Sequence, residues 1–225
     1  MGRHYDFLTF DCYGTLIDWE SGIGGWFERA AAADRVAVAP SDALAAYAQI
    51  EPEVEAGTYL SYREVLTATA LRVANRFDWP LAPERARTLA ESLSSWPPFP
   101  DTNPALEKLV ERGYGLGILS NVDDDLLSGT LRHFTVRFEL LVTAQEVRSY
   151  KPALRHFETA RERIGKMRWL HAAQSHFHDV VPARALGIPV AWINRKGLPA
   201  PLDRIPDMEV ETLAGLVDRL DELSA

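Results

Sequence analysis

Residues 7–16 read Phe-Leu-Thr-Phe-Asp-Cys-Tyr-Gly-Thr-Leu, and they are the most informative segment for the fold class. Its first four residues, three of them apolar, predict a short buried strand that ends at one carboxylate, Asp11, before a Gly-Thr turn. In open α/β sheets, ligands bind in the crevice beyond the carboxyl ends of the strands. A lone aspartate after an apolar run is also common as a turn former. Asp11 is therefore a first candidate site residue, and its role depends on what else reaches that edge.

Further apolar runs along the chain predict more strands of the same kind. They cover residues 116–119, 140–142, 169–172 and 189–193. Short apolar runs bounded by turn residues are typical of strands that are buried on both faces. Helical patterns fill the intervals at residues 104–112, 124–133, 153–164 and 180–186. This alternation predicts an α/β fold built on a doubly wound parallel sheet.

The interval between Leu16 and Pro100 breaks the alternation. It contains four helical patterns, at residues 21–33, 41–56, 62–77 and 83–93. The Trp-Pro-Pro-Phe-Pro sequence that follows is a stiff connector back to the sheet. We therefore predict two domains: a core of residues 1–17 and 99–225, and a helical cap of residues 18–98 that is inserted after the first strand.

Composition limits which partners and which cellular compartment are expected for this protein. The chain has 225 residues and a formal net charge of −8, which argues against nucleic acid and anionic membranes as partners. A small anionic substrate stays open, because the local field at a site can oppose the global charge. The single cysteine, Cys12, rules out an internal disulfide and fits a reducing compartment. No apolar run approaches the roughly 18 residues of a membrane span, so we expect a cytoplasmic protein. A homodimer stays open.

Four sequence motifs resemble those of the haloacid dehalogenase (HAD) superfamily. The first, Asp-x-Asp-Gly-Thr-Leu, begins at Asp11, which the resemblance identifies as a covalent nucleophile. Ser120 after the second strand and Lys151 before a proline match the second and third motifs. The Ala-x-x-x-Gly ending of a later helix aligns Asp179 with an acid of the fourth motif. The resemblance covers nearly the whole chain, and the helical cap after the first strand is part of it.

The resemblance implies a role for each of these residues. Lys151 would pair with Asp11 and keep it ionised, and Asp179 would help the hydrolytic water. Thr15, Ser120 and Asn121 would hold a substrate carboxylate. Without the resemblance, a Ser-Asn pair is more often a turn or a helix cap, and Asp179 could simply cap a helix.

Two departures from the motifs narrow the chemistry. Tyr13 stands where HAD phosphatases carry the acid that protonates a leaving alcohol, and a tyrosine with a pKa near 10 cannot easily do this at neutral pH. Ser175 replaces a carboxylate that would bind Mg²⁺. A halide leaves without a proton, so the pattern resembles the L-2-haloacid dehalogenases. That resemblance implies hydrolysis of a small 2-haloalkanoic acid through an ester, without a metal or another cofactor.

Alternatives to this reading stay open. One is a Mg²⁺-dependent HAD phosphatase that acts on a small phosphate ester, and another is a HAD-fold protein that binds a small anion or a partner without catalysis. The dehalogenase resemblance implies a cap arginine at the halide, but the nearest stretch, residues 47–51, has none. Arg63 is a candidate substitute, although a helix arginine is more often solvated. Tyr13, Ser175 and His178 complete the candidate substrate-binding residues, and His176 also lies near Asp179 in the sequence.

Overall fold

The computed structural model describes residues 2–199 and 203–224. Its strands are β1 (Phe7–Phe10), β2 (Gly115–Ser120), β3 (Leu140–Thr143), β4 (Trp169–Ala173), β5 (Val190–Ile193) and β6 (Met208–Val210). They form one parallel sheet in the order β3-β2-β1-β4-β5-β6, so β1 lies in its interior. This confirms the predicted α/β fold with a doubly wound parallel sheet. The edge strand β6 was not predicted.

Helices surround this sheet and fill the long interval after β1. The interval contains α1 (Trp19–Asp34), α2 (Pro40–Glu55), α3 (Tyr62–Arg76) and α4 (Pro83–Ser92). The remaining helices are α5 (Thr102–Glu111), α6 (Asp124–Leu131), α7 (Ala144–Val147), α8 (Arg155–Ile164), α9 (Val181–Ala185) and α10 (Leu213–Ser224). The eight predicted helices agree with these bounds to within two residues, whereas α7 and α10 were not predicted. The two domain boundaries stay a prediction.

Two apolar cores cover the faces of the sheet. Leu8 and Phe10 of β1 pack into the larger core, which continues into α1 to α4. Phe7, which points to the opposite face, packs into a second core with Phe157 of α8. Successive strand residues point to opposite faces, so a strand that is buried on both sides must be apolar at nearly every position. None of the helices among the described residues is long and apolar enough to span a membrane.

The loop after β2 attaches α1 to α4 to the carboxyl edge of the sheet. Asp123 accepts hydrogen bonds from the backbone N–H groups of Tyr62 and Arg63, at 2.9 and 3.0 Å, and so caps the start of α3. The Tyr150 hydroxyl donates to the Leu60 carbonyl oxygen at 2.9 Å. The Asp123 contacts satisfy N–H groups that a helix start leaves unpaired, and the Tyr150 contact binds the carbonyl oxygen just before that helix. They hold the helical insertion over the sheet edge where the candidate site residues lie.

Candidate active site

A cavity of about 210 Å³ lies between the carboxyl edge of the sheet and α2. The sheet side supplies Asp11, Ser120 and Asp179, which the sequence places near strand ends, and the candidate Lys151 from the loop before α8. The opposite wall comes from α2 and contains residues that the sequence analysis did not select, among them Glu51 and Glu55. A pocket at the carboxyl edge of an open α/β sheet is the usual location of a ligand site in this fold class.

Lys151 joins the two acids of the sheet edge. Its Nζ donates to Asp11 Oδ1 at 3.0 Å, to Asp179 Oδ1 at 2.6 Å and to the Leu119 carbonyl oxygen at 2.8 Å. These three bonds use all three N–H donors of the ammonium, and the side chain is only 1% exposed. The second oxygen of Asp11 accepts a hydrogen bond from the Thr15 hydroxyl at 3.0 Å. Asp11 is therefore held at both oxygens, with one edge of its carboxylate facing the cavity.

Burial and ion pairing compete at these groups. Burial raises the pKa of Asp11, and the Lys151 ammonium opposes this rise. Burial also raises the pKa of Asp179, but Lys151 and the hydrogen bond from His171 outweigh burial and hold that pKa at about 2. Burial lowers the pKa of Lys151, but the two carboxylates outweigh it and raise that pKa. These shifts favour a charged Lys151 ammonium paired with an ionised Asp179, whereas at Asp11 the ammonium offsets only part of the effect of burial.

A buried hydrogen-bond chain behind the sheet edge orients Asp179. Trp169 Nε1 donates to Thr9 Oγ1 at 2.7 Å, and Thr9 Oγ1 lies 2.8 Å from His171 Nδ1. The one proton of the Thr9 hydroxyl can be donated to His171 Nδ1, an arrangement that places an N–H on Nε2. His171 Nε2 then donates to Asp179 Oδ1 at 3.0 Å. Asp179 Oδ2 is buried without a partner among the described residues and is free for water or substrate.

The sequence analysis did not predict this hydrogen-bond chain, although the sequence contains an indication of it. Thr9 and His171 are the polar residues of otherwise apolar strand runs, and the sheet register pairs them side by side. Polar side chains that are buried on neighbouring strands must bond to each other, since an unpaired buried polar group is costly. The register could not be deduced before the strand order was known.

Ser120 and Asn121 both line the cavity but differ in their hydrogen bonds. The Ser120 hydroxyl is buried, lines the cavity and has no partner among the described residues. Asn121 Oδ1 accepts from the Lys151 backbone N–H at 2.7 Å, and Asn121 Nδ2 donates to the Lys151 carbonyl oxygen at 3.1 Å. Asn121 therefore fixes the loop that carries Lys151, whereas Ser120 offers a free hydroxyl to a ligand. Thr15 is engaged, because its hydroxyl donates to Asp11 and accepts from the Gln174 backbone N–H at 2.9 Å.

Tyr13, Ser175 and His178 also line the cavity. The Tyr13 hydroxyl lies 2.9 Å from Thr130 Oγ1, and burial raises its pKa well above the ordinary value. Ser175 Oγ accepts from the His178 backbone N–H at 3.0 Å and so caps the π-helical turn His176–Val180. Burial lowers the pKa of His178, which favours the neutral imidazole at pH 7.

The structure does not bring Arg63 or His176 to the cavity. Arg63 lies at the start of α3, is half-exposed and forms an ion pair with Asp125 on the surface. The Arg63 backbone N–H is bonded to Asp123 in the loop after β2, and the Arg63 side chain lies on the surface beside that loop and not in the cavity. His176 Nε2 lies 3.2 Å from the Arg204 carbonyl oxygen, outside the cavity lining. Neither position supports a role in substrate binding.

The residues at the sheet edge do not fit Mg²⁺. The facing oxygens of Asp11 and Asp179 are already bridged by the Lys151 ammonium. Ser175 stands where a further carboxylate ligand is expected, and its hydroxyl is used as a helix cap. Mg²⁺ needs several hard oxygen ligands in octahedral geometry, and here the carboxylates of Asp11 and Asp179 each have one oxygen bonded to the ammonium. Within residues 2–199 and 203–224, no group of three or more His, Cys, Asp or Glu could hold a metal ion.

Comparisons with known proteins agree with this geometry. The family model for haloacid dehalogenase-like hydrolases matches residues 5–181. The (S)-2-haloacid dehalogenase of Pseudomonas fluorescens is 30% identical over 175 residues, which are 73% of this chain and 76% of that protein. The (S)-2-haloacid dehalogenase of Pseudomonas sp. strain YL is 29% identical over 221 residues, 94% of this chain and 92% of that protein.

Solved structures share the fold over almost the full length. The L-2-haloacid dehalogenase of Xanthobacter autotrophicus with chloropropionic acid covalently bound superposes with a TM-score of 0.82. It is 21% identical, and the match covers 98% of this chain and 100% of that one. A crystal structure of a dehalogenase gives a TM-score of 0.84 at 22% identity, over 97% and 98% of the two chains. At these identities the superpositions confirm the fold.

Proposed function

The chain belongs to the haloacid dehalogenase-like hydrolase family and is an enzyme, and we propose that it hydrolyses the carbon–halogen bond of a small 2-haloalkanoic acid without a metal. The observation that carries this proposal is the Lys151 ammonium, which bonds Asp11 at 3.0 Å and Asp179 at 2.6 Å. It favours the ionised form of the nucleophile Asp11 in a buried site, where otherwise two adjacent acids would share a proton.

The first step is displacement at the carbon that bears the halogen. A carboxylate oxygen of Asp11 forms a bond to this carbon, and the halide leaves with the electron pair of the carbon–halogen bond. The product is an ester on Asp11. No proton is required, which agrees with a Tyr13 hydroxyl whose pKa is raised and which is bonded to Thr130. The unpartnered Ser120 hydroxyl is placed to donate to the substrate carboxylate.

The second step is hydrolysis of the ester. Asp179 Oδ2 has no hydrogen-bond partner among the described residues. It can therefore accept a proton from a water molecule while the water oxygen attacks the ester carbonyl of Asp11. Collapse of the tetrahedral intermediate breaks the bond between the Asp11 carboxyl carbon and the ester oxygen that is attached to the substrate carbon. That oxygen, which came from Asp11, takes the remaining proton of the attacking water and leaves as the hydroxyl of a 2-hydroxy acid, and the Asp11 carboxylate is restored with the water oxygen in it. The proton left on Asp179 returns to solvent.

The relatives support this choice of substrate class. Two proteins at 29% and 30% identity are (S)-2-haloacid dehalogenases. A structure with the same fold holds chloropropionic acid covalently, as an ester intermediate would require. No comparable feature of the cavity favours a phosphatase, because Ser175 stands where a carboxylate ligand of Mg²⁺ is expected and Tyr13 is a poor acid.

Halide release is the direct test of this function. Purified protein is incubated with each enantiomer of 2-chloropropionate and 2-bromopropionate, and halide is measured by ion chromatography. Parallel reactions contain EDTA or added Mg²⁺, and p-nitrophenyl phosphate serves as the phosphatase substrate. We expect halide release that EDTA leaves unchanged and that the Asp11→Asn variant abolishes. Phosphate release that depends on Mg²⁺, without halide release, would contradict the proposal.

A further inference from the structure

Two acidic residues of α2 face the sheet edge across the cavity. Glu51 and Glu55 are four residues apart, so they lie on the same side of the helix, and both line the cavity that contains Asp11. Glu51 Oε1 accepts hydrogen bonds from the hydroxyls of Tyr47 at 2.8 Å and Tyr62 at 2.7 Å. The two phenol donors favour the ionised form of Glu51, but burial outweighs them and raises the pKa of this carboxyl. The cavity thus places two acids opposite the sheet edge, and one of them is held by two hydroxyl donors.

Glu55 lacks comparable support for a negative charge. Its side chain is only 6% exposed, Asn121 Nδ2 donates to Oε2 at 3.3 Å, and His178 Nε2 lies at 4.0 Å. The His178 imidazole is favoured as neutral, because burial lowers its pKa. Burial and the neighbouring Glu51 carboxylate raise the pKa of Glu55 well above its ordinary value, and Lys151 only opposes this rise. The other titratable or charged side chains around Glu55 are the phenols of Tyr47, Tyr62 and Tyr150, and Tyr59 and Arg148 on its outer side.

An anionic substrate meets a charge problem in this cavity. Among the described residues that line it, Lys151 is the only lysine or arginine, and all three of its donors are used. The Ser120 hydroxyl is the buried, unpartnered donor, and it carries no charge. A substrate carboxylate beside an ionised Glu51 and an ionised Glu55 would be repelled by both. A protonated Glu55 turns one of these repulsive groups into a donor.

We propose that Glu55 carries a proton when the substrate binds and donates a hydrogen bond from its carboxylic acid to the substrate carboxylate. A hydrogen bond between a carboxylic acid and a carboxylate is of the strong, charge-assisted kind. The covalently bound halogen of the substrate is a weaker hydrogen-bond acceptor than the substrate carboxylate. Glu55 therefore donates to the carboxylate. The proton stays in the acid–carboxylate pair throughout displacement, because the halide leaves as an anion. Glu55 is thus a specificity residue that sets the upper pH limit for anionic substrates.

Glu55 is also placed to exchange this proton with solvent. It lies between the cavity and an outer groove that it lines together with Arg148, Tyr150 and Phe177. Phe177 is exposed at the rim of this groove. A binding step that requires the acid form can therefore take up a proton from solvent at Glu55. The affinity for an anionic substrate then depends on the pH of the solution.

The kinetic test of this proposal compares pH profiles of kcat/KM, and it rests on the proposed function because it measures dehalogenation. We measure kcat/KM for 2-chloropropionate from pH 5 to 9 in the wild type, in Glu55→Gln and in Glu53→Gln, a matched control on the exposed face of α2. For the wild type we expect kcat/KM to fall about tenfold per pH unit above the pKa of Glu55. Glu55→Gln keeps a donor that does not titrate, so this alkaline fall should disappear. Glu53→Gln should keep the wild-type profile.

A binding experiment on the wild type separates this proposal from the function. Propionate, which has no leaving group, is titrated into the protein by calorimetry in buffers of different ionisation enthalpy. Above the pKa of Glu55 we expect about one proton taken up per propionate bound. Propionate that binds without proton uptake, binding that fails at every pH, or an alkaline fall that persists in Glu55→Gln would overturn the proposal. Proton uptake without halide release from any 2-haloacid would instead overturn the proposed function alone.

Discussion

Replacing Lys151 by methionine should destabilise the protein in a way that depends on pH. Methionine is of similar length and leaves two buried carboxylates, Asp11 and Asp179, facing each other without a cation. Removing one partner of a buried ion pair costs about 3–5 kcal/mol. Protonation limits this loss, because placing one proton at pH 7 on a carboxyl with an ordinary pKa near 4 costs about 4 kcal/mol. The two estimates agree, so we expect a loss of about 4 kcal/mol at pH 7.

The sign of the pH dependence follows from proton binding. Without Lys151, the native carboxyl pair has a raised pKa and binds more protons than the unfolded chain, whose carboxyls titrate near pH 4. The stability of the variant relative to the wild type should therefore fall as pH rises through this window, by about 1.4 kcal/mol per unit for one proton. At pH 5.5 the loss should be about 2 kcal/mol, on the same scale of about 1.4 kcal/mol per unit.

Urea unfolding at pH 5.5, 6.5 and 7.5 provides the measurement, for the wild type, Lys151→Met and Lys166→Met. Lys166 is exposed, so this control removes a lysine without uncovering a buried acid. Its effect should be small and nearly independent of pH. A Lys151→Met loss that does not change between pH 5.5 and 7.5 would refute the idea that the lysine neutralises two buried carboxylates.

Three further substitutions test other parts of the structure. Gly22→Ala would place a Cβ 2.3 Å from Trp96 Cγ, so α1 must shift, and urea unfolding should show a loss of at least about 2 kcal/mol. Arg63→Ala removes a surface ion pair outside the cavity, and both halide release and unfolding should stay within experimental error of the wild type. His171→Gln weakens the bond that orients Asp179, and the second step should slow by about tenfold or more while displacement changes less. A burst of halide before the steady state would show this difference, and equal slowing of both steps would contradict it.

The parallel sheet could be predicted because its strands are short apolar runs at regular spacing. Edge strand β6 escaped because it has only three residues, Met-Glu-Val, and a partly exposed strand lacks the continuous apolar pattern. The helix α10 follows β6 and has a clear apolar face at Leu213, Leu216, Val217 and Leu220. That spacing is the usual signal of an amphipathic helix, so α10 was within reach of the sequence.

The sheet edge of the site was predictable for a similar reason. Asp11, Ser120 and Asp179 follow strands whose carboxyl ends must meet, and Lys151 bonds both acids within 3.0 Å. The opposite wall was not predictable from strand ends. On a helix, Glu51 and Glu55 look like ordinary solvated residues, and their only local signal is that like charges four residues apart are unfavourable. Whether a helix face meets solvent or a cavity depends on how the insertion packs, which the sequence pattern does not contain.

The fate of the water oxygen tests the proposed mechanism most directly. Enzyme in excess over 2-chloropropionate completes a single turnover in ¹⁸O-water, and mass spectrometry then reads the peptide that contains Asp11 and the 2-hydroxy acid. If water attacks the ester carbonyl, the label enters the Asp11 carboxylate, and the first product carries an unlabelled oxygen from Asp11. In Asp179→Asn the ester should accumulate as added mass on the same peptide. A labelled product from the first turnover, with no label on Asp11, would mean that water attacks the substrate directly and would contradict the nucleophilic role of Asp11.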